Sequence, residues 1–171
     1  MVIVAANEIS FRWAIDIAMH KLKYVRFSKV DPDSFIELLN KQKIREHLIE
    51  HDFFDSISIM DWVEDKIEMD SKKGCRVRGI ISEKRLAGWC GIQLEKGQFE
   101  IAIVIDENYW GIGKPVFNDI MRWARELGHE EIYIHFLDTR PEYKFLKKIA
   151  EDVYETEHFG RKFTTYKLLI K

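Results

Sequence analysis

Apolar and polar residues alternate with a period of two through the middle of the chain, from position 75 to position 105. Such alternation is typical of β-strands. Two short polar turns divide this stretch into three strands, and turns this short join antiparallel neighbours. The last strand is apolar on both faces, which predicts a central position in the sheet. The predicted strands span 75–82, 86–95 and 98–105.

The flanking parts of the chain alternate between strand and helix patterns. A strand at 23–30 precedes two helices, the first with Pro32 in its opening turn and the second beginning near Ser58, whose spacing to Asp61 suits a capping box. The order β-α-α-β-β-β-α-β-α-β-β predicts one α/β domain at 21–171, with a mixed, mostly antiparallel sheet flanked by helices. Residues 1–20 are predicted to form an N-terminal extension. The later elements are a helix at 115–127, a strand at 131–137, a helix at 141–150 and a hairpin of 153–158 with 163–170.

Composition and charge exclude several classes of protein. Hydrophobic residues make up 46% of the 171 residues and charged residues 33%, as in a folded globular domain. The 27 Lys and Arg against 29 Asp and Glu give a net charge of -2, which argues against a nucleic-acid partner. No apolar run approaches the roughly 20 residues that span a bilayer, so no membrane partner is expected. Cys75 and Cys90 form no CxxC pair, which argues against a zinc site and favours a reducing cytoplasm.

The segment 106–117, DENYWGIGKPVF, carries the most informative chemistry. A buried strand ends here, Gly111 and Gly113 follow, and a helix begins with Pro115. Glycines let a backbone approach a ligand closely, and the first amides of a helix are unpaired. The segment therefore predicts an anion-binding loop, to which Lys114 adds a positive charge. The alternative is an ordinary strand-to-helix turn in which the glycines need positive φ.

Two nucleotide-binding motifs differ from this segment. The P-loop requires Ser or Thr after Gly-Lys, where this chain has Pro115. The dinucleotide motif GxGxxG requires a third glycine where Val116 stands, although Asp138 imitates the ribose-binding acid of that fold. The dinucleotide fold also begins with a βαβ unit, whereas a meander precedes the glycines here. A nicotinamide-dependent oxidoreductase is therefore kept only as an alternative.

The order of elements and the glycine segment together resemble the GNAT superfamily of N-acetyltransferases, which bind acetyl-CoA. The resemblance covers about 23–171. Its most specific part is motif A, Arg/Gln-x-x-Gly-x-Gly/Ala, at 108–113, where Asn108 replaces the usual Arg or Gln. The segment 38–48 resembles the branch that contains ribosomal-protein and aminoglycoside acetyltransferases. The resemblance implies acetyl-CoA as cosubstrate, with its pyrophosphate on the amides of motif A and its pantetheine along the preceding strand. The implied cofactor-binding residues are Ile103, Val104, Ile105, Asn108, Tyr109, Trp110, Gly111, Ile112, Gly113 and Lys114, together with Asp138 after the next strand.

The resemblance also implies that an amine acceptor attacks the thioester directly in a ternary complex. Glu100 is the predicted base that deprotonates this amine, and its alternative is a half-exposed carboxylate paired with a basic neighbour. The family's proton-donating Tyr falls here on Phe145 or Leu146, neither of which has a proton to give. Tyr143 is the predicted substitute. The alternative function is a CoA-binding protein with impaired catalysis.

The remaining histidines and acidic residues give less specific signals. His135 either relays a proton or is structural. His47 and His51 have the i, i+4 spacing of helical metal ligands without a third ligand, so no metal site is predicted. An acidic and aromatic cluster would suit a cationic amine acceptor, either a small molecule or a protein N-terminus, and its alternative is a charged loop; a homodimer is left open. The cluster comprises Glu46, Glu50, Asp52, Asp55, Phe53 and Phe54.

Overall fold

A computed structural model describes residues 22–48, 51–140, 142–158 and 160–171. The extension predicted for residues 1–20 lies outside these ranges. Within them the chain forms seven strands, five α-helices and two 3-10 helices. The α-helices and strands are β1 (Lys23–Val25), α1 (Pro32–Leu39), α2 (Gln42–Arg45), α3 (Ser58–Ser71), β2 (Arg76–Ser82), β3 (Arg85–Glu95), β4 (Gln98–Ile105), α4 (Gly113–Glu126), β5 (Glu131–Leu137), α5 (Lys144–Ile149), β6 (Asp152–His158) and β7 (Arg161–Leu169). The 3-10 helices are Phe27–Lys29 and Glu107–Ile112.

All seven strands belong to one mixed sheet with the order β1-β2-β3-β4-β5-β7-β6. Every neighbouring pair is antiparallel except β4 and β5. The meander of β2, β3 and β4 and the central place of β4 are as the alternation predicts. The α/β fold class is therefore confirmed.

The parallel strands β4 and β5 pair at a single point, where Glu100 lies opposite Tyr133. Beyond it, residues 101–105 of β4 pair only with β3, and residues 134–137 of β5 pair only with β7. The two strands therefore separate toward their carboxyl ends. We call the space between 101–105 and 134–137 the opening.

Helices cover both faces of the sheet. On one face, Phe27, Phe35 and Trp62 pack around Trp89 of β3, so this face carries α1 and α3. On the other face lies α4, whose buried stripe continues to α5 through the Phe117–Phe145 ring contact at 5.7 Å. Within the described ranges, no helix combines the length and the apolar character needed to cross a membrane.

Several predicted boundaries are wrong for local reasons. The first strand ends at Val25 instead of continuing to position 30, because the chain turns into a 3-10 helix that buries Phe27. The helical stretch that begins at Pro32 breaks and resumes, which is one of the two courses that its pattern allows. At the break, the Asn40 side chain donates to the carbonyl of Phe54 and accepts from its amide, each at 2.9 Å, and α2 follows as a separate short helix. The capping box of Ser58 does not form. Instead, the Asp55 carboxylate accepts hydrogen bonds from the amides of the first turn of α3.

Lys66 of α3 is the cation most closely enclosed by the core on this face. Its ammonium donates to Gln93 and lies over the rings of Trp62 and Trp89. Burial lowers the pKa of Lys66 from its usual 10.5 to about 8. The charged form is therefore disfavoured in the folded state but not in the unfolded chain.

We expect the wild-type protein to gain stability as pH rises from about 8 to about 10, because the unfolded chain then binds more protons than the folded one. Lys66→Met should abolish this gain. It should also raise the free energy of unfolding at pH 7 by about 1–2 kcal/mol. Removing the buried charge stabilises the folded state, and the loss of the hydrogen bond to Gln93 cancels part of this gain. Urea denaturation at several pH values measures both effects, with Lys73→Met, at an exposed position just after α3, as the control. An unchanged pH slope in Lys66→Met would contradict the assignment.

Candidate functional site

The β4 side of the opening presents backbone groups that no neighbouring strand uses. The Asp106 amide donates to the Ala87 carbonyl at 2.8 Å, so the backbone of even-numbered residues in β4 faces β3. Alternation then turns the amides and carbonyls of Ile103 and Ile105 toward the opening. The backbone of Val104, in contrast, is engaged with β3. Of the three strand residues predicted to bind cofactor, two therefore offer hydrogen bonds there.

The base of the opening holds a buried pair of ionisable side chains. The Glu100 Oε1 atom lies 3.2 Å from His135 Nε2, and the two side chains are 8% and 5% exposed. Glu100 lies on the same face as Trp89, because Val104 is opposite Trp89 and strand residues alternate. The pair thus faces α1 and α3. The half-exposed strand-end alternative for Glu100 is wrong.

His135 connects this pair to two hydroxyl groups. Its Nδ1 atom lies 2.7 Å from the Thr165 Oγ1 atom, which is in turn 2.7 Å from the Thr156 Oγ1 atom. Which of His135 Nδ1 and Thr165 Oγ1 donates depends on the tautomer of His135, and either hydroxyl can donate in the contact between Thr165 and Thr156. A continuous polar chain thus runs from Glu100 across β5 and β7 to half-buried Thr156 on the edge strand β6.

The glycine segment begins directly after β4 as a 3-10 helix and continues into α4 at Gly113, two residues earlier than predicted. Gly111 has helical dihedrals and Gly113 has a φ of -57°, so the positive-φ alternative is wrong. Some amides of the predicted anion loop already have local partners: Asn108 and Tyr109 donate to Asp106, and Gly113 donates to the Trp110 carbonyl. Gly111 and Lys114 are exposed, whereas Ile112 and Gly113 are buried.

Residues 41–48, which we call the bridging segment, connect the ends of the two diverging strands. Lys41 forms an ion pair with Asp106 at 2.6 Å, and Lys43 forms one with Glu107 at 3.3 Å, both just beyond β4. At the other end, Leu48 packs against the buried cluster formed by Leu137, the last residue of β5, and Phe163 of β7. The bridging segment therefore lies across the carboxyl end of the opening.

The chain beyond β5 supplies the opposite wall. Tyr143 immediately precedes α5 and packs on Phe136 of β5, with ring centroids 4.7 Å apart. The Arg140 Nη1 atom donates to the Tyr143 hydroxyl oxygen at 3.5 Å. Phe136 and His135 lie on opposite faces of β5, so Tyr143 and Glu100 lie on opposite faces of the sheet. Asp138 is exposed, and its amide donates to the Lys162 carbonyl.

Arg140 also acts on His47 of the bridging segment. Burial, and then the positive charge of Arg140, lower the pKa of His47 from its usual 6.5. Burial likewise lowers the pKa of Arg140 itself. Arg140 thus contacts Tyr143 and is close enough to His47 for their charges to interact.

Two carboxylates of the acidic cluster expected to line an acceptor site have partners within their own segments. The Asp55 carboxylate holds the first turn of α3, and these hydrogen bonds lower its pKa. Glu46 accepts from Gln42 within the bridging segment. Arg45 donates to the carbonyls of His51 and Asp52, and Glu50 lies outside the described residues. In the ranges that the structure describes, no three His, Cys, Asp or Glu side chains are grouped as a metal site requires.

No protein-family model matches the chain, and no curated protein matches it either. Solved structures do. An acetyltransferase of the GNAT family from Streptococcus pneumoniae has a TM-score of 0.63 at 14% identity, covering 88% of this chain and 99% of that one. The chain has the GNAT fold. The microcin C7 self-immunity acetyltransferase MccE, in complex with acetyl-CoA and AMP, gives a TM-score of 0.67 at 15% identity over 88% and 93% of the two chains.

A third structure with the GNAT fold is the Salmonella typhimurium acetyltransferase that modifies the N-terminal serine of ribosomal protein L7/L12. Its TM-score is 0.66 at 14% identity, over 88% of this chain and 94% of that one. The predicted resemblance is thus confirmed at the level of the fold. The dinucleotide-binding alternative is wrong, because that fold needs a parallel sheet and this sheet has one parallel pair.

Sequence reasoning named Glu100, Tyr143 and the strand 103–105, which the structure brings around one opening, but it missed Arg140 and Thr165. Arg140 stands in the same stretch as Tyr143, two residues after Asp138. The sequence shows that Arg140 is near Tyr143 along the chain, but it does not predict that Arg140 is buried. Thr165 is one of several alternating residues of a strand, and nothing in the sequence connects it to His135.

Proposed function

We propose that this protein transfers an acetyl group from acetyl-CoA to an amine acceptor by direct attack in a ternary complex. The observation that carries the proposal is the opening between β4 and β5, with the buried Glu100–His135 pair at its base. Structural neighbours with the same fold support it, because they are acetyltransferases and MccE was determined with acetyl-CoA.

The cofactor-binding residues divide into two groups. The backbone of Ile103 and Ile105 would hydrogen-bond the pantetheine as an added strand does. The start of α4, with its positive dipole end and the exposed Lys114, would hold the pyrophosphate. Because the amides of Asn108, Tyr109 and Gly113 have local partners, the 3-10 helix must exchange some of these hydrogen bonds for phosphate oxygens.

Glu100 acts as the base of this mechanism. Acetyl-CoA supplies a thioester carbonyl, which only an uncharged amine can attack, so the acceptor ammonium must first lose a proton. Glu100 accepts this proton. His135 is a positioning residue that holds the carboxylate through Nε2 and is itself oriented by Thr165.

Tyr143 donates the proton to the departing sulfur. Its hydroxyl is oriented by Arg140, whose positive charge also favours a thiolate nearby. A thiol has a pKa of about 8.5, so the thiolate is a moderate leaving group even without a strong acid. Tyr143 thereby replaces the acid that the GNAT resemblance would have placed at Phe145 or Leu146.

The acceptor is a primary amine of unassigned identity. The neighbours differ in this respect, since one modifies a ribosomal protein N-terminus and another confers immunity to a microcin. Both a small molecule and a protein N-terminus therefore fit the fold. The buried thiols of Cys75 and Cys90 need no catalytic role and suit a reducing cytoplasm.

The first test is a thermal-unfolding measurement with acetyl-CoA, with NAD and ATP as controls. A ligand present at about 100 times its dissociation constant stabilises the folded state by about 2.7 kcal/mol, so the unfolding midpoint should rise with acetyl-CoA alone. Thiol release with a panel of amines then tests transfer. No shift with acetyl-CoA would refute the proposal. Binding without turnover of any amine would favour the alternative, a CoA-binding protein with impaired catalysis.

A further inference from the structure

Three side chains around the carboxyl end of the opening bury nitrogen atoms without hydrogen-bond partners. They are Arg140, with both Nε and Nη2, His47 with Nδ1, and Trp110 with Nε1. None of these atoms has a partner among the residues that the structure describes. Arg140 follows β5, Trp110 follows β4, and His47 lies in the bridging segment between them.

Among these three side chains, Arg140 has the largest unfavourable free energy from nitrogen atoms buried without hydrogen-bond partners. A guanidinium always carries its proton and five N–H donors, and it cannot avoid burial by becoming neutral as a lysine can. A buried donor without an acceptor costs free energy that a folded protein rarely leaves uncompensated. A group that supplies acceptor oxygens to Nε and Nη2 would remove this cost.

The positive charge of Arg140 also has no ion-pair partner among the described residues. The two lysines at the start of the bridging segment are neutralised, Lys41 by Asp106 and Lys43 by Glu107. No carboxylate of the described residues forms an ion pair with Arg140. At the carboxyl end of the opening, the guanidinium of Arg140 therefore carries a positive charge that no carboxylate of the described residues neutralises, and its N–H donors are arranged as a fork.

We propose that Arg140, assisted by His47, binds an anionic oxygen group of the amine acceptor, either a carboxylate or a phosphate. The proposal rests on the acetyl-transfer function above and names the class of acceptor: an amine that carries a negative charge. It replaces the cationic acceptor suggested by the acidic cluster. The planar fork of a guanidinium matches both anions, because each offers two oxygens at suitable spacing.

The test uses inorganic phosphate as the probe and keeps ionic strength constant with sodium chloride. The Arg140 Nε–H signal and the His47 ring signals are followed by NMR, first without CoA and then with saturating CoA. We expect a saturable change at both residues in both conditions, together with a rise in the pKa of His47 as the anion binds. Saturation that persists with CoA bound identifies a site separate from the cofactor's own phosphates.

Three variants sharpen this test. Arg140→Gln should weaken phosphate binding about 10-fold to 100-fold, and Arg140→Lys should show an intermediate loss because it keeps the charge without the fork. Arg85→Gln, at the exposed start of β3, is the matched control and should bind as the wild type does. The unfolding midpoint of ligand-free Arg140→Gln should be unchanged or higher, whereas a purely structural arginine would lower it.

Two results would overturn the proposal. One is the absence of any saturable change with phosphate. The other is a change that CoA abolishes, accompanied by weaker CoA binding in Arg140→Gln, which would assign Arg140 to the cofactor's phosphates. The apo titration does not depend on CoA, so failure of the acetyl-CoA thermal shift would refute the proposed function separately.

Turnover provides a further readout once an accepted amine is known. Free amino acids should be better acceptors than the corresponding amino-acid amides in the wild type. Arg140→Gln should lower kcat/KM for the free amino acids about 10-fold to 100-fold more than for the amides, because both classes lose the orientation of Tyr143 but only the free amino acids lose the anion contact. An equal loss for both members of each pair would contradict recognition of the anion.

Discussion

Replacing Glu100 by Gln should lower kcat/KM for acetyl transfer about 100-fold to 10,000-fold at neutral pH, the range typical for a lost general base. The substitution conserves volume at a buried position, so the fold should remain intact. Its amide cannot take the proton of the acceptor ammonium. Initial rates of thiol release measure the effect.

The dependence of this loss on pH distinguishes a base from a structural carboxylate. At pH values near the pKa of the acceptor, a large fraction of the amine is already neutral and needs no base. The deficit of Glu100→Gln should therefore shrink steadily as pH rises from 7 to 10. A deficit of equal size at every pH would argue against the base role. Glu131→Gln, at the exposed start of β5, serves as the control and should retain wild-type rates.

Thr165→Val extends the same experiment to the positioning of His135. It removes the hydroxyl that lies 2.7 Å from His135 Nδ1 but leaves Glu100 in place. We expect a smaller loss than in Glu100→Gln with the same dependence on pH, because the base is retained but held less firmly. A loss independent of pH would separate Thr165 from the Glu100 function.

Replacing Gly111 by Glu should weaken acetyl-CoA binding about 100-fold. A carboxylate about 5 Å from a phosphate costs roughly 3 kcal/mol at an effective dielectric of 20. Gly111 is exposed and has helical dihedrals, so the new side chain strains neither the backbone nor the core. Gly113 is unsuitable for this purpose, because it is buried and a charge there would disturb the fold.

Isothermal titration of acetyl-CoA into the purified variants measures this effect. Gln98→Glu adds the same charge at the exposed start of β4 and should bind with wild-type affinity. Gly111→Ala tests the need for close backbone approach without any charge. If Gly111→Glu bound acetyl-CoA as tightly as Gln98→Glu, the start of α4 would not be the phosphate site.

Local patterns predicted most of the fold because the sheet is built from contacts between near neighbours in sequence. The apolar, strand-like runs of 98–105 and 131–137 give the bounds of β4 and β5 as the structure has them. The helix boundaries were predicted less well. The break at Asn40 depends on its hydrogen bonds to Phe54, fourteen residues away, and no local pattern reports such a contact.

The sequence by itself determined the order of elements, the meander and the glycine segment with the positive charge of Lys114. It also determined that Glu100 and Tyr143 are available for proton transfer. These features depend on residue type and on spacings of a few positions.

Only the tertiary structure decided which of these groups meet. The Glu100–His135 pair requires two strands that are 35 positions apart to pair once and then diverge. The buried fork of Arg140 requires the bridging segment to lie across the carboxyl end of the opening. Burial and long-range register arise from the packing of the whole sheet, so no local pattern in the chain can encode them alone.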